Sequence, residues 1–352
     1  MTDRLQLCVI PGDGIGREVI PMAVDVLQAV LPDVALTYAD AGWDAFERTG
    51  TALPEDTLAT ARECGAVLFG AVASPSHPVA GYRSPVVALR RELDVFANLR
   101  PSRGWPVHGA RREMDLLIVR ENTECLYGGR ERIEGDVAIA ERIITRRGSE
   151  RVARVAYPLA SHMARPPCDR YARRARVPRL TIVHKANILR VSDGLWRDSC
   201  LTVAREFPQV ETDEGLVDSV AYYLVRQPER YQVLLTPNLY GDILSDVAAA
   251  LAGGLGMAPS VSLGAHHAIA EPVHGAAPDI AGKGIANPLG AILSVALLAR
   301  HVWSRTDVAQ AIEEAVERTL ARGVFTPDLA APGQPTVGTR ELGQRVLAEL
   351  GA

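Results

Sequence analysis

Lysine, paired cysteine and long apolar runs are all scarce in this chain of 352 residues. The five cysteines are odd in number and include no CxxC pair, so neither a disulfide framework nor a zinc site is indicated. No apolar stretch approaches the roughly 18 residues that cross a bilayer, and the apolar run at 5–10 is too short for a signal-peptide core. A net charge of -4 provides no basic field for nucleic acid or an anionic membrane. We therefore expect a cytoplasmic protein that acts on small molecules, with no nucleic acid and no membrane as partner.

Only two of the 38 basic residues are lysines, Lys185 and Lys283. Arginine can replace lysine wherever only a positive charge is needed, but a guanidinium cannot lose its proton at working pH, whereas an amine can be tuned to do so. An arginine-rich genome would explain the scarcity equally well. Lys185, which is predicted to end a strand, is nevertheless a candidate for acid–base chemistry.

The length exceeds what one hydrophobic core usually supports, so two domains are expected. Strands predicted at 5–10, 34–41 and 66–71 alternate with helices at 17–30 and 54–63. This order predicts an α/β fold with a largely parallel sheet covered by helices. Later strands are predicted at 116–120, 180–184 and 231–236, and later helices at 85–94, 242–251, 288–301, 307–322 and 339–350. The arginine-dense stretch 146–179, with three prolines in 161–178, is interpreted as a surface excursion.

The glycines Gly12, Gly14 and Gly16 directly follow a predicted strand and resemble a dinucleotide loop. A Rossmann fingerprint needs its third glycine one residue later and an acidic residue at the end of the second strand. Asp40 lies too far along the chain and Asp33 lies before that strand. A tight turn into a helix is therefore the better interpretation.

Charged residues inside apolar segments give the stronger signal. Arg90 and Arg100 flank one such segment, and Arg120 ends the predicted strand 116–120. A buried arginine needs an anionic partner, and the guanidinium fork matches a carboxylate. Structural ion pairs could explain any one of these arginines, but three together indicate a polyanionic small molecule.

Asp242 and Asp246 lie four residues apart, on one face of a predicted helix. Like charges at this spacing repel each other and are tolerated beside a divalent cation, and oxygen ligands favour Mg²⁺ or Mn²⁺ over zinc. The alternative is that Asp242 caps the helix while Asp246 lies in solvent.

Six segments together resemble the β-decarboxylating dehydrogenases, which include isocitrate, isopropylmalate, homoisocitrate and tartrate dehydrogenases. The resemblance runs from about residue 5 to 330, and the segments that carry it are 12–16, 89–101, 119–124, 184–187, 238–246 and 271–288. It implies an isopropylmalate dehydrogenase-like two-domain fold with a shared, largely parallel mixed sheet. The large dinucleotide-binding domain would comprise 1–98 and 257–352, and the small domain, with the dimer interface and the metal site, 99–256.

The resemblance also implies residue roles in the oxidative decarboxylation of a 3-substituted malate. Arg90, Arg100 and Arg120 would bind the substrate carboxylates. Lys185 would take the proton of the 2-hydroxyl group as hydride leaves for the nicotinamide. Tyr127 would protonate the enol that remains after CO₂ departs.

Asp218, Asp242 and Asp246 would hold Mg²⁺ or Mn²⁺. The resemblance implies that Asp218, also counted with the catalytic residues, and Lys185 come from a second subunit. It therefore implies an obligate homodimer. A regulatory subunit that has lost the chemistry is the remote alternative, but it would be expected to lack at least one of Tyr127, Lys185, Asp242 and Asp246.

The expected cofactor is NAD. Asp279 followed by Ile280 resembles the NAD-using members, whereas NADP-using relatives place lysine and tyrosine there. The residues assigned to the cofactor are Val72, Ala73, Ser74, Asn187, Glu271, His274, Gly275, Ala276, Ala277, Pro278, Asp279, Ile280 and Asn287.

The substrate expected from the resemblance is homoisocitrate, which would be converted to 2-oxoadipate and CO₂ in the lysine biosynthesis route. The segments 41–48 and 71–75 resemble homoisocitrate dehydrogenase most. Arg83 and Ser84 would contact a distal carboxylate, although Arg83 could equally be a solvated surface residue, and Ser74 and Asn187 would complete the substrate contacts. Isocitrate, 3-isopropylmalate and a phosphonomethylmalate-type substrate of secondary metabolism remain alternatives. Cys125 stands where the family usually has glycine.

Overall fold

The computed structural model describes residues 5–75, 77, 79–163 and 177–351. These residues form two compact units. One holds the described residues of Met1–Val95, Gly104–Arg112 and Ala249–Ala352, and the other those of Phe96–Arg103 and Glu113–Ala248.

The described residues contain twelve strands and eleven α-helices. The strands are β1 (Gln6–Gly12), β2 (Ala35–Tyr38), β3 (Ala66–Ala71), β4 (Ala97–Arg103), β5 (Asp115–Glu121), β6 (Glu131–Glu134), β7 (Val137–Ala140), β8 (Arg179–His184), β9 (Glu211–Leu216), β10 (Val233–Thr236), β11 (Pro259–Leu263) and β12 (Ala268–Pro272). The helices are α1 (Gly16–Val30), α2 (Trp43–Thr49), α3 (Glu55–Cys64), α4 (Pro85–Glu92), α5 (Arg146–Met163), α6 (Ser192–Ala204), α7 (Val217–Arg226), α8 (Asn238–Ala252), α9 (Leu289–His301), α10 (Thr306–Ala321) and α11 (Thr339–Leu350).

In the first unit the strand order is β2-β1-β3-β12-β11, parallel except for the β11–β12 pair. The β3 strand is buried along its whole length, as expected of a parallel strand covered on both faces. The α9 helix has eleven buried residues and packs on β11 and β12. The apolar run that gives α9 its sequence signal is thus the centre of this unit's core.

In the second unit the order is β4-β5-β10-β8-β9, and only the β4–β5 pair is antiparallel. The carboxyl ends of β5 and β10 therefore lie side by side, with Arg120 opposite Thr236. The β6–β7 hairpin forms a separate two-stranded sheet. This arrangement brings the turns after β5 and β10 to one edge, where α/β sheets carry their ligands.

The mixed α/β class with a large, mostly parallel sheet is confirmed. All thirteen predicted elements are present, with shifts of a few residues at most ends. The α8 helix begins at Asn238 rather than near Asp242, because the chain already turns helically after Pro237, whose carbonyl accepts the N–H of Gly241. The predicted domain boundaries differ from the observed units at 96–98, 104–112 and 249–256.

The interpretation of 146–179 as a surface excursion is wrong for residues 146–163. These form α5, an amphipathic helix whose arginines flank a buried face that includes Val152, Ala156 and Tyr157. Residues 164–176 of the predicted excursion lie outside the described residues. No helix in the described ranges combines the length and apolar character that a membrane crossing requires.

Candidate active site

Arg100 and Arg120 are brought together with Asp242 and Asp246 in the second unit. The Arg120 side chain is 1% exposed, and its guanidinium pairs with the Asp242 carboxylate. Arg100 is 7% exposed and reaches Asp242 at 3.3 Å and Asp246 at 3.7 Å through Nη1. Two buried cations thus face two carboxylates, so the predicted grouping from scattered sequence positions is observed.

The strand pairing explains how Arg120 reaches α8. A Cβ on Gly241 would lie 2.3 Å from Thr236 Oγ1 and 2.7 Å from Arg120 Cγ, so only glycine lets the helix pass this close. The Asn238 amide oxygen accepts from Arg120 Nε at 3.0 Å and from Nη2 at 2.6 Å. The first turn of α8 therefore fixes the plane of the guanidinium.

Tyr127 belongs to the same group of side chains. It lies in the 3-10 turn Leu126–Gly128, and its hydroxyl bonds the Asp242 carboxylate. The Arg120 guanidinium stacks 4.9 Å above the ring. Burial raises the pKa of Tyr127, and Asp242 adds to that effect while Arg120 opposes it.

Asp246 is the more exposed of the two α8 carboxylates, with 57% of its side chain accessible. Partial burial raises its pKa, with Asp242 adding to the shift and Arg100 and Arg120 opposing it. One carboxylate of the pair is thus bound by two arginines, and the other has a raised pKa. Asp242 lies inside α8 as a partner of Arg120 and Tyr127 and does not cap the helix, whereas Asp246 is mostly exposed, as the alternative interpretation expects.

Lys185 and Asp218 contact each other. The Lys185 amine donates to the Asp218 carboxylate at 2.5 Å, and this contact lowers the pKa of Asp218. Lys185 follows β8, and Asp218 lies in the first turn of α7. These are the two residues expected to serve a second subunit together.

Asp218 does not join Asp242 and Asp246 within one chain. Across the described residues, no group of three or more histidine, cysteine, aspartate or glutamate side chains is arranged to hold a metal. One chain therefore supplies two of the three predicted metal ligands at one place. The sequence analysis expects the third ligand, Asp218, to come from a second copy.

Arg90 lies in the first unit, where it pairs with Glu271. The two side chains are 10% and 9% exposed and 2.5 Å apart. Arg90 was expected to bind substrate and Glu271 the cofactor, so two predicted site residues are joined by a buried ion pair. Arg90 Nε has no acceptor within the described part of the chain.

The segment after β3 that carries Val72, Ala73 and Ser74 is held by Asp13, a residue that sequence reasoning missed. The buried Asp13 carboxylate accepts the N–H of Ala73 at 2.9 Å and that of Trp43, at the start of α2, at 2.7 Å. Val72 packs on the core cluster around Phe69. The available signal is an aspartate that lies between two glycines directly after a buried strand.

The glycines after β1 are close-packing positions. A Cβ on Gly12 would lie 2.0 Å from the Ala71 carbonyl oxygen, and one on Gly14 would lie 2.2 Å from that of Ala276. The N–H of Ile15 donates to the same Ala276 oxygen at 3.0 Å. A tight turn into α1, packed on the 271–288 loop, is the arrangement observed.

Glu18, in the first turn of α1, anchors the far side of that loop. Its carboxylate accepts the N–H groups of Gly282 at 2.6 Å and Gly284 at 2.9 Å. Ala277 adopts a positive φ of 42°, and Ile280 donates its N–H to the Ala277 carbonyl at 3.1 Å. The loop is thereby folded into a turn that leaves Gly275, Pro278 and Asp279 exposed.

His274 and Asn287 are, besides Glu271, buried or half-buried side chains of the loop with hydrogen-bonding capacity. Burial lowers the pKa of His274, whose Nε2 is buried without a partner among the described residues. Asn287 donates to Asp328 at 3.1 Å, and its side-chain oxygen accepts the N–H of Leu289 at the start of α9. His274 thus has an unused polar atom, whereas Asn287 already has structural partners.

Arg83, Ser84 and Asn187 are the other polar residues expected to contact the substrate. Arg83 is exposed, and Ser84 immediately precedes α4. Asn187 is exposed in the turn after Lys185, where the Lys185 carbonyl accepts the N–H of Ile188 at 2.9 Å. Arg83 and Ser84 belong to the first unit, and Asn187 belongs to the second.

Cys125 has a positive φ of 67°, a backbone conformation that favours glycine. This conformation accounts for the glycine expected at this position two residues before Tyr127. The Cys125 side chain is buried and its N–H donates to the Ile143 carbonyl at 2.8 Å.

A family model described as isocitrate/isopropylmalate dehydrogenase matches residues 6–346. The chain belongs to the isocitrate/isopropylmalate dehydrogenase family. The family's reaction class, oxidative decarboxylation of a 3-substituted malate, follows for this chain, while the particular substrate is not resolved. The predicted family is confirmed.

Relatives named for different substrates have similar sequence identity to this chain. The chain is 48% identical over 324 residues to an isocitrate/homoisocitrate dehydrogenase of Thermus thermophilus, covering 92% of this chain and 93% of that protein. It is 44% identical to a 3-isopropylmalate dehydrogenase of Methanothermobacter thermautotrophicus over 98% of both chains. The crystal structure of isocitrate dehydrogenase from Methylococcus capsulatus matches with a TM-score of 0.90, 38% identity and 99% coverage of both chains.

Proposed function

We propose that this family member oxidises and decarboxylates homoisocitrate to 2-oxoadipate and CO₂, with NAD as hydride acceptor and Mg²⁺ or Mn²⁺ as metal. The observation that carries the catalytic part of the proposal is the group formed by Arg100, Arg120, Tyr127 and Asp242. Two buried guanidinium groups at the carboxyl ends of sheet strands suit a substrate with several carboxylates.

The chain's own residues supply binding and proton transfer in this proposal. Arg100 and Arg120 bind substrate carboxylates in competition with Asp242, and Arg90 does so in competition with Glu271. Lys185 removes the proton of the 2-hydroxyl group. Tyr127 delivers a proton to the carbon that has lost CO₂.

The residues present fit the metal and the dinucleotide. Asp242 and Asp246 offer only oxygen donors, as Mg²⁺ and Mn²⁺ prefer, and the Asp218 of a second copy would complete the set. The buried, unpartnered Nε2 of His274 and the exposed carboxylate of Asp279 provide polar groups for the adenosine half of NAD. When bound, the cation supplies Lewis-acid stabilisation of negative charge on substrate oxygens, and NAD supplies the hydride acceptor.

NAD rather than NADP is proposed because a carboxylate at Asp279 would accept ribose hydroxyls and repel a 2′-phosphate. Initial rates with the two dinucleotides at equal concentration test this. NAD should give at least tenfold higher kcat/KM, and Asp279→Ala should narrow the difference. Faster reduction of NADP by the wild-type enzyme would contradict the proposal.

Homoisocitrate is proposed because the segments 41–48 and 71–75 resemble homoisocitrate dehydrogenases and a relative named for isocitrate and homoisocitrate is 48% identical. The exposed position of Arg83 would also suit a phosphonate on a malate derivative, which is the second candidate. The lysine biosynthesis route and a cytoplasmic location stay predictions.

A homodimer is proposed because the predicted site needs residues from two chains. The α7 and α8 helices expose large apolar side chains, including Tyr222 at 60% and Ile243 at 55%, which a second copy could cover. Tyr127, Lys185, Asp242 and Asp246 are all present, which argues against the regulatory-subunit alternative.

The deciding experiment compares initial rates with NAD and Mg²⁺ on homoisocitrate, isocitrate, 3-isopropylmalate, tartrate and a phosphonomethylmalate. A tenfold or greater preference for homoisocitrate corresponds to about 1.4 kcal/mol of transition-state binding. Preference for 3-isopropylmalate would overturn the assignment of a distal carboxylate. Preference for the phosphonate would favour the second candidate, a role in secondary metabolism. Turnover of none of the five compounds would overturn the catalytic proposal itself.

A further inference from the structure

A fully buried carboxylate, that of Asp193, contacts the backbone of Lys185. Asp193 lies in the first turn of α6 and is 0% exposed. Its Oδ2 accepts the backbone N–H of Lys185 at 2.6 Å. A carboxylate taken so far from water needs several donors, and a charged acceptor makes a short, strong bond to each of them.

The other donors come from Arg142 and Tyr240. The Arg142 guanidinium forms an ion pair with Asp193, and the Tyr240 hydroxyl donates to Asp193 Oδ2 at 3.2 Å. Arg142 also stacks 4.9 Å above the Tyr240 ring. The four residues Arg142, Lys185, Asp193 and Tyr240 thus form one hydrogen-bonded group around the buried carboxylate, which we name the Asp193 cluster.

The Asp193 cluster joins the segments that carry the proposed catalytic residues. Arg142 Nε donates to Cys125 Sγ at 3.2 Å, and Cys125 lies two residues before Tyr127. Tyr240 lies two residues before Asp242 on α8. Arg142 and Tyr240 therefore tie the Asp193 carboxylate to the segments of Tyr127 and Asp242, and the carboxylate in turn bonds the backbone of Lys185.

We propose that Asp193 is a positioning residue that fixes the backbone of Lys185 through their hydrogen bond, with Arg142 and Tyr240 holding its carboxylate. This inference rests on the proposed function in assigning Lys185 as the base. Anchoring a base at its backbone limits the movement of its amine relative to the substrate hydroxyl, and misplacement by about 1 Å costs on the order of 100-fold in rate.

The scarcity of lysine provides a direct spectroscopic test. Reductive methylation with ¹³C-formaldehyde labels only Lys185, Lys283 and the N-terminal amine, so each lysine gives its own NMR signal. Lys185→Arg identifies the Lys185 signal by its loss. Asp193→Ala should shift or broaden that signal and leave the Lys283 signal in place.

A matched control is Asp198→Ala, which removes an exposed carboxylate from the same helix. It should leave both lysine signals unchanged. Tyr240→Phe removes one hydrogen bond from Asp193 and keeps the ring, so it should produce a smaller shift. Tyr240→Phe decides the matter if Asp193→Ala does not fold.

Measurements of kcat and KM distinguish the loss of Lys185 positioning from a general disturbance of the fold. Asp193→Ala should lower kcat by about 10- to 100-fold with KM for NAD and substrate within threefold. In a Lys185→Ala background the same substitution should cost less than threefold, because the base it positions is already gone.

Equal losses of kcat in both backgrounds, or an unchanged Lys185 signal in folded Asp193→Ala, would overturn the inference. Failure of the proposed function would be recognised separately, because the wild-type enzyme would then turn over no substrate while the Lys185 signal still reports on Asp193.

Discussion

Two buried arginines determine what the second unit can bind. Arg100 and Arg120 are almost fully withdrawn from water, yet the carboxylates that face them, Asp242 and Asp246, are 34% and 57% exposed. An anionic substrate can therefore approach the guanidinium groups from the side of the carboxylates. A divalent cation held by Asp242 and Asp246 would supply positive charge to balance the negative charge that this brings together.

Lys185 gives the prediction at the scale of one residue. Lys185→Ala should bind NAD normally and lose turnover by several orders of magnitude, because the hydroxyl proton loses its acceptor. Lys185→Arg keeps the positive charge beside Asp218 but cannot release a proton, so it should be as inactive. Fluorescence titration with NADH and initial rates check both expectations. Near-normal turnover of either variant would remove Lys185 as the base.

At the scale of elements, the first turn of α8 combines helix formation with site construction. Pro237 precedes the helix, Asn238 holds the Arg120 guanidinium, and Gly241 lets the helix pass against β5. The elements with apolar periodicity, such as β3 and α9, could be predicted nearly to the residue. The β9 strand could not, because Glu211–Leu216 is polar and lies at the edge of its sheet.

The same distinction holds for the site. Arg100, Arg120, Asp242 and Asp246 could be predicted because charges inside apolar segments stand out. Asp13 and Asp193 could not, since their role is to accept backbone N–H groups of other segments, 30 and 60 residues away for Asp13 and in the turn after β8 for Asp193. The alternation of strands and helices contains no information about those hydrogen bonds.

Gly241→Ala tests the close contact of α8 with β5. Its Cβ would lie 2.3 Å from Thr236 Oγ1, so the substitution should destabilise the fold by about 1–3 kcal/mol. Because Arg120 must move as well, kcat/KM should fall at least tenfold. Gly194→Ala in α6 is the control: its Cβ would meet nothing within 4 Å, so stability should rise by up to about 1 kcal/mol. Equal effects on urea unfolding would contradict this explanation.

His301, at the end of α9, predicts part of the pH dependence of stability. Burial, with a smaller effect from Arg300, lowers the pKa of His301 to about 4. Between pH 6.5 and 4, His301 binds a proton in the unfolded chain but not in the folded chain. The free energy of unfolding therefore falls as the pH is lowered through this window. The loss amounts to about 2 kcal/mol after allowance for partial exposure.

His301→Gln should remove that contribution. The difference in free energy of unfolding between pH 7.5 and pH 4.5, measured in urea, should be smaller in the variant than in the wild-type protein. An identical difference in the two proteins would show that His301 titrates alike in the folded and unfolded chains.

At the scale of the whole molecule, the two units carry different parts of the proposed chemistry. The first holds the 271–288 loop and the Arg90–Glu271 pair, and the second holds Arg100, Arg120 and Tyr127. Lys185 and Asp218 contact each other in the second unit, and in the proposed function they complete the site of a second copy. Such isologous sharing is typical of twofold dimers.

Hybrid dimers test that claim most directly. Lys185→Ala and Asp246→Asn chains with different affinity tags would be co-expressed, and the dimers that carry both tags would be isolated. One of the two sites in each hybrid then contains both substitutions and the other contains neither, so about half of the wild-type activity per dimer should return. Lys185→Ala paired with Asp218→Asn is the control and should stay inactive, because each site keeps one defect. Hybrids of the first pair as inactive as their parents would contradict the shared site.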